Sequence, residues 1–544
     1  MSNNAFSNTP PSAIYDAAII GGGFAGLTCG ALLARSGCKV IVLEKEPRLG
    51  GLCAGFDREG YKFESAIHWL NQFGTDGFIP PLFRLLGNDF PTATHKTRIK
   101  RYVCGDTDYL VTNNPLELKD KLIQDFPEDT KGIIRFFDDT KKLAAAYKAI
   151  THNMCTSLSC SIFEKIKHHI LYSRHGLTFL RALLYNNAEK ALNRYFTHPR
   201  LRRIFSTEET LMEMMIPIAW AWLDDYQNPP PGGSREYALW LAEKTAQYGG
   251  TVLPRATVDS ILLSKNKVCG LTYTNGGTKK TIHAPFIVAA CDVNQLYSRL
   301  LPPGAISPRF IRSLNQAEIY TSAVTISIGL DCPSESLGMN EEFIHLARED
   351  VSRNQQNSGD PHVCPMVINA YSAVDKTLCP EGCGTLLIFI AVNHGFHNSF
   401  NSDTPESADG RSDSPTQLRK RSKNYREYKQ QYADIIIERL EKTLIPNLRG
   451  HIKVIDVATP LTYERYTWNK DGSMMGAKPV LKNILSGVIH SKSKVKNLLL
   501  TGHWADVGGG VPIAIKTAAN TALYIARRMK KPFAEELKRT LLRK

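Results

Sequence analysis

Residues 14–51 read IYDAAIIGGGFAGLTCGALLARSGCKVIVLEKEPRLGG. The apolar run Ala17 to Ile20 has the character of a buried strand, and it enters the glycine loop Gly21-Gly22-Gly23-Phe24-Ala25-Gly26. Small residues from Leu27 to Ser36 suit a closely packed helix, and Gly37 ends it. A second strand, Lys39 to Leu43, finishes at Glu44. This is G-x-G-x-x-G between a strand and a helix, with an acid 18 residues past the last glycine. Each position has a physical job. Gly21 permits the tight turn, Gly23 lets a pyrophosphate approach the backbone, and Gly26 lets the helix pack close to the strand. Free N–H groups and the helix dipole then meet the phosphate charge. Glu44 is placed to accept hydrogen bonds from ribose hydroxyls, and its charge repels a 2′-phosphate. Gly21, Gly23, Ala25, Gly26 and Glu44 are the candidate cofactor contacts at this end.

The next residues extend the signal. Arg48, Leu49, Gly50 and Gly51 form an R-x-G-G continuation soon after the acid. A glycine pair here offers a second close backbone approach, suited to a longer dinucleotide lying extended across the fold. This points to FAD rather than NAD and adds Arg48, Gly50 and Gly51 to the candidate set.

Composition bounds the rest. The chain has 544 residues, with 67 basic and 52 acidic side chains and a formal net charge of +15. That length suggests two or three domains, and 43% hydrophobic residues are ample for large cores. The 12 cysteines include no C-x-x-C pair. Cys379 and Cys383 flank a Pro-Glu-Gly turn with no His-rich partner nearby, so no metal is expected. Residues 1–13 are polar and too short for a signal or transit peptide, which suggests reduced thiols in a cytoplasmic chain. No apolar run reaches the roughly 18 residues of a bilayer span. The positive charge suits nucleic acid or an anionic membrane surface. No RNA- or DNA-binding motif accompanies it, so nucleic acid is not an expected partner; an ordinary solvated surface explains the charge equally well.

Along the chain, a β-rich segment includes Arg101–Cys104 and Asp108–Val111. From about Pro127 to Trp222 the apolar spacing is helical. Ile162, Phe163, Ile166, Ile170 and Leu171 form one stripe, interleaved with Lys165, Lys167, His168, His169 and Arg174. It reads either as a core helix of an all-α lid or as a membrane-surface helix. A helix is expected from Ser234, a good N-cap by type, to Gly249. Short strands follow at Thr251–Pro254, Val258–Leu263, Val268–Thr274, Thr281–Ala290 and Ser322–Leu330, with a near-continuous apolar strand at Thr385–Val392. Residues 398–424, rich in Ser, Asp, Asn, Pro and Arg, read as an exposed loop. Tyr425–Leu444 reads as an amphipathic helix.

Near the C-terminus, Asn497–Thr501 is a buried-type strand, Gly502–Gly510 a loop with HWADV between its glycines, and Pro512–Met529 a helix of small residues. Proline suits a first helical turn. The helix N-terminus therefore aims N–H groups at whatever lies over Gly508, Gly509, Gly510 and Val511. In a flavin site that occupant is the pyrimidine end of the ring, whose negative charge when reduced a helix N-terminus would stabilise. Gly502, Gly510 and Val511 join the candidate set.

With these motifs in view, the chain resembles the phytoene desaturase, carotenoid isomerase and retinol saturase group of flavoproteins, in the amine-oxidase-like superfamily. The motifs are IIGGGFAG…EKEPRLGG (19–51), GYKFESAIHWL (60–70), PPGGSREYALWLAEKTAQYGGTVLPRATVDSI (230–261) and NLLLTGHWADVGGGVPIAI (497–515). ATPLTYERYTWNKDGSMMG (458–476) also looks like bacterial homologues. In relatives the residue matching Val258 touches adenine. Many relatives carry an acid where this chain has His503, so the resemblance leaves the ribityl or phosphate contacts to Asp506, and the Gly508–Gly510 run before Val-Pro fits a less characterised bacterial-type branch.

The resemblance implies an α/β fold, with a glutathione-reductase-like Rossmann-type FAD-binding domain and a mixed-sheet substrate domain with a helical lid. The expected division is a disordered tail 1–13, an FAD domain from 14–95 with 227–300 and 495–530, a substrate domain from 96–226 with 301–494, and a basic tail 531–544. The implied chemistry is desaturation, cis–trans isomerisation or saturation of a long apolar polyene or isoprenoid lipid, by hydride or electron transfer at flavin N5. No electron acceptor or donor is named by it. Glu64 and His68 are the candidate catalytic acid–base groups, with a hydrogen-bonded structural role as the alternative. Tyr463 and Arg465 are further candidates, while Trp69 and Trp504 would line the cavity. Two other classes stay open: an amine-oxidase-like flavoenzyme on a polar amine, and a non-catalytic lipid-binding flavoprotein. A lipid substrate implies peripheral docking on an anionic membrane, for which residues 162–185 and Arg527–Lys544 are the candidate elements.

Overall fold

The computed structural model describes residues 12–151, 154–160, 163–164, 166, 170, 188–205, 211–351, 353–356, 358–392 and 423–542. Five short strands form a parallel sheet in the order Thr251–Leu253, Val40–Leu43, Ala17–Ile20, Phe286–Ala289, Leu498–Leu500. Ala17–Ile20 and Val40–Leu43 are buried along their whole length. That is what a parallel sheet covered on both faces requires, and it explains their unbroken apolar runs. Ala17, Ile19, Val40 and Val42 pack against the helices Phe24–Arg35, Arg235–Gln247 and Gly510–Arg528. Ala18, Ile20, Ile41 and Leu43 face the opposite core, with Val258, Ile261, Leu271 and Tyr273. Those last residues belong to a four-stranded sheet ordered Ser12–Ile14, Thr278–His283, Lys267–Asn275, Ala256–Ser264.

A seven-stranded mixed sheet runs Ile452–Ala458, Ser322–Leu330, Gly384–Val392, Met366–Asn369, Phe343–Ala347, Arg98–Cys104, Thr107–Thr112. Its pairs are antiparallel except Phe343–Ala347 with Arg98–Cys104. The helix Lys423–Thr443 packs Tyr432, Ile436 and Leu440 onto Ile326 and Ile388. Helices Thr130–Thr151 and Leu211–Trp222 share a core with Ile99, Tyr102 and Val111. The expected α/β class, a Rossmann-like sheet beside a mixed sheet, is borne out.

Three local readings change. Within the expected tail 1–13, Ser12 and Ala13 belong to a strand paired in parallel with Thr281–His283, and residues 1–11 lie outside the described residues. Within 531–544, Phe533–Leu541 is a docked helix, with Phe533, Ala534, Leu537 and Leu541 buried. Its charges read as a tail because only one narrow face is apolar. Ser234 makes no side-chain cap; its hydroxyl is taken by Glu64. In the 162–171 stripe, Phe163, Ile166 and Ile170 are 74%, 50% and 62% exposed. Ile162, Lys165, Lys167, His168, His169, Leu171 and Arg174 lie outside the described residues. So does the expected loop 398–424, apart from the first two residues of the helix Lys423–Thr443.

Candidate dinucleotide and substrate site

The strand Ala17–Ile20 delivers the chain to Gly21 at φ +108°, where a Cβ would lie 2.5 Å from the Ala290 carbonyl oxygen. Only glycine fits. At Gly26 a Cβ would collide with the Gly21 carbonyl, and at Gly30 it would sit 2.6 Å from Val42 Cγ2. The helix is therefore held hard against the sheet. Gly23 differs: a Cβ there would meet nothing nearer than Gly50 O and Gly51 Cα, both at 3.9 Å. Its open side faces the cleft. Gly50 pairs with Gly23 in a parallel bridge, and its N–H donates to Gly22 O at 2.8 Å. The two glycine loops thus lie side by side.

Glu44 is buried at the end of the second strand. Its carboxylate accepts the Gly22 N–H at 2.7 Å and the Glu46 N–H at 2.8 Å. Burial raises its pKa, opposed by those two bonds. The helix Phe24–Arg35 begins with no side-chain cap and no acid in its first turn, and so does Gly510–Arg528. First-turn N–H groups without helical partners remain at both N-termini. The closing loop is set by Gly502 at φ +93° and Gly510 at φ +85°, with Thr517 Oγ1 accepting the Gly502 N–H at 2.8 Å.

Both helix N-termini open on one cavity of ≈810 Å³. Gly21, Gly23, Ala25, Glu44, Arg48, Gly50, Gly51, His68, Val258, Gly502, Gly510 and Val511 all line it. Gly26, Glu64 and Asp506 do not. Gly26 packs behind Gly21, and Asp506 pairs with Lys516 at 2.7 Å. Elsewhere the wall is largely apolar, with Leu52, Ile67, Phe389, Met474, Met475 and Trp504. Tyr463 joins it, its hydroxyl 2.8 Å from Thr325 Oγ1 and 2.9 Å from the Ser65 carbonyl it donates to.

The two acid–base candidates separate in space. Glu64 is buried, and both its oxygens are engaged by Ser234, through the backbone N–H and the hydroxyl, each at 2.5 Å. Burial raises its pKa, opposed by the Ser234 bonds. It fastens the 60–70 segment to the start of the helix Arg235–Gln247. His68 lies in the cavity wall. Asn369 Nδ2 donates to its Nδ1 at 2.8 Å, its ring meets Phe389 edge-on at 4.7 Å, and its Nε2 is buried without a protein partner. Burial lowers its pKa to about 4, so the ring is neutral near pH 7. With Nδ1 accepting, the proton resides on Nε2.

Some lining residues escape sequence reading. Asn369 carries no motif; its partner lies 301 residues away. Trp468 lines the cavity near Glu44 with Lys45 Nζ 4.8 Å and Arg299 Cζ 4.5 Å from its ring centroid. Its one local sign is a helix C-cap at φ +58°.

Residues 19–86 match the family model of the NAD(P)-binding Rossmann-like domain. All-trans-retinol 13,14-reductase of Danio rerio is 24% identical over 530 residues, covering 90% of this chain and 82% of that protein. The chain is a distant full-length homologue of the retinol saturase and prolycopene isomerase group. Prolycopene isomerase of Daucus carota, a chloroplast protein, is 25% identical over 91% of this chain and 77% of its own. A solved putrescine oxidase double mutant superposes with a TM-score of 0.60 at 15% identity, covering 95% of this chain and all of that one. That likeness gives the amine-oxidase-like fold, in which a dinucleotide domain and a mixed-sheet domain share one cavity.

Proposed function

We propose that this protein is an FAD-dependent oxidoreductase acting on carbon–carbon bonds of a long apolar polyene or isoprenoid lipid. One observation carries the reading: a cavity of ≈810 Å³ joins the paired glycine loops to an apolar wall of Leu52, Ile67, Phe389 and Met474. The cradle suits a dinucleotide because Gly23 leaves room above it and two uncapped helix N-termini face the same space. Bound FAD would supply two-electron hydride transfer.

Each residue then has a role. Gly21, Gly23, Ala25, Gly50 and Gly51 line the pyrophosphate path, with Arg48 beside them. Gly26 keeps the helix close. Glu44 accepts ribose hydroxyls with the lone pairs left by Gly22 and Glu46. Val258 flanks adenine. Gly510 and Val511 present backbone N–H groups to the flavin ring, Gly502 turns the chain beside it with its own N–H held by Thr517, and the Asp506–Lys516 pair braces that loop. The FAD-binding domain is 14–95 with 227–300 and 495–530; the substrate domain is 96–226 with 301–494. The apolar wall excludes water from the reacting bond. His68 keeps a neutral Nε2–H as a donor at the cavity wall; with Nδ1 taken up by Asn369 it has no free acceptor, so it orients the reacting partners rather than carrying the proton. Glu64, fixed to Ser234, positions His68 through the segment between them.

A lipid substrate has to be collected at a membrane, and among the described residues no helix is long and apolar enough to cross one. The exposed Phe163, Ile166 and Ile170 favour surface docking through that stripe. It is tied to the basic C-terminal elements by Lys538–Glu164 at 3.1 Å and by Arg527 bonding Ser159 O at 2.7 Å.

Purified protein should be yellow and release FAD on acid precipitation. Incubation with isoprenoid lipids, oxidised or reduced at the flavin, should change a lipid by two hydrogens or by double-bond geometry, read by mass spectrometry and polyene absorbance. Colourless protein that cannot be reconstituted would sink the cofactor assignment. Turnover of amines with no change in any lipid would replace the substrate assignment.

A further inference from the structure

The helix Leu481–Ser486 is built inside out. Its one buried residue is polar. Asn483 Oδ1 accepts the Glu318 N–H at 3.1 Å, and Nδ2 donates to the carbonyls of Glu318 and Lys478 at 2.7 and 2.9 Å. Its apolar residues point to solvent: Leu481 is 69% exposed, Ile484 43% and Leu485 77%. Spaced at i, i+3 and i+4, they share one face. A lone exposed leucine is ordinary; three large apolar side chains on one short helix, held by an amide clamp that uses none of them, form a patch.

The segment that carries the patch is basic, with the exposed Glu318 as an acid beside the Asn483 clamp. From Gly472 to Ala505 the chain carries Lys478, Lys482, Lys492, Lys494 and Lys496 and no Asp or Glu. Lys482, Lys492, Lys494 and Lys496 are exposed. The segment also begins and ends at the cavity. Met474, Met475 and Gly476 line it, and the His490 N–H donates at 2.9 Å to the carbonyl of Trp504, another lining residue. Leu481 follows Gly476 by at most roughly 18 Å of extended chain.

We infer that Leu481–Ser486 and the surrounding lysines dock on an anionic bilayer, bringing the Met474–Gly476 wall of the cavity to the membrane surface. Leu481, Ile484 and Leu485 enter the acyl boundary while the lysines meet lipid phosphates. The purpose of this contact rests on the lipid-substrate reading; the contact itself does not. It rests on residues other than Phe163, Ile166 and Ile170.

The test is flotation of the purified full-length protein on phosphatidylcholine vesicles with and without phosphatidylglycerol. Binding should need phosphatidylglycerol and weaken with salt. The pair Leu481→Glu with Leu485→Glu, and separately Lys482→Glu with Lys494→Glu, should each lower the partition coefficient about tenfold or more, with unchanged melting temperature and flavin absorbance. The pair Leu481→Met with Leu485→Met should float like the parent. Flotation unaffected by either charged pair overturns the proposal. So does a concentration-dependent dimer that the leucine pair disperses, because a second copy then covers the patch. Flotation that depends on these residues in a protein that turns over no lipid supports the docking surface and rejects the substrate reading alone.

Discussion

Asn369 Nδ2 lies 2.8 Å from His68 Nδ1 and fixes which ring nitrogen carries the proton. Replacing Asn369 with Asp supplies an acceptor where a donor stood, so Nδ1 must hold the proton or the ring must charge. In ¹⁵N-histidine NMR the parent should show a neutral Nε2–H tautomer throughout pH 5–8, about the range in which an ordinary imidazole titrates. Asn369→Asp should shift the ring towards Nδ1–H or imidazolium and change the pH profile of turnover, while Asn369→Gln should restore part of the parent profile. An unaltered tautomer in Asn369→Asp would show that this bond does not set it.

Burial lowers the pKa of both His68 and His503 to about 4. Between pH 6.5 and 4 the unfolded chain binds protons that the folded chain refuses, so stability falls as pH falls through that window. Each histidine contributes up to roughly 3 kcal/mol of that loss by the same linkage. Substituting both with Asn should flatten the acid side of a plot of melting temperature against pH. A steep acid limb that survives would place the responsible groups elsewhere.

Gly23→Val and Gly26→Ala should fail differently. A side chain at Gly23 has open space, so the apoprotein should keep its stability within about 1 kcal/mol yet take up no FAD. A methyl group at Gly26 collides with the Gly21 carbonyl, so the sheet and helix must part. Denaturant unfolding and flavin titration on both variants separate the two; loaded FAD in Gly23→Val would remove the pyrophosphate path from this loop.

Glu44→Ala strips the acceptor from the buried Gly22 N–H and the half-buried Glu46 N–H. The cost should be about 1–3 kcal/mol in unfolding free energy, together with weaker FAD binding measured by fluorescence quenching. Glu44→Gln keeps one acceptor oxygen and should lose less of both.

Glu64→Gln should reduce stability by about 1–3 kcal/mol, because one of the two Ser234 donors loses its charged acceptor. Ser234→Ala should show a comparable loss, and the double mutant little more than either single one. A Glu64→Gln enzyme that keeps its melting temperature but loses all turnover would return Glu64 to the acid–base chemistry.

What could be read from sequence and what could not divide along chain distance. Gly21, Gly26 and Glu44 announce themselves because backbone turns and close approaches restrict residue type locally, wherever the rest of the chain goes. The resemblance motifs at 60–70 and 497–515 carry the site further, to His68 and Gly510. Asn369 stays silent: its meeting with His68 depends on Met366–Asn369 pairing with Gly384–Val392 in the mixed sheet. Ser234 misleads, since a cap preference is a local tendency and a buried carboxylate is a better acceptor for its hydroxyl. Phe533–Leu541 misleads by charge: its four buried apolar residues fill a groove that only the folded partner helix creates.

The parallel sheet takes strands from Ala17–Ile20, Phe286–Ala289 and Leu498–Leu500, neighbours in space that are synthesised far apart in time. On the ribosome the first glycine loop emerges long before the helix Gly510–Arg528 that packs beside it. In that interval the apolar edges of Ala17–Ile20 and Phe286–Ala289 are open to wrong pairing, which makes the nascent chain a natural client for chaperones. Yield in the cell should therefore track flavin supply and translation speed more closely than the stability of the finished protein.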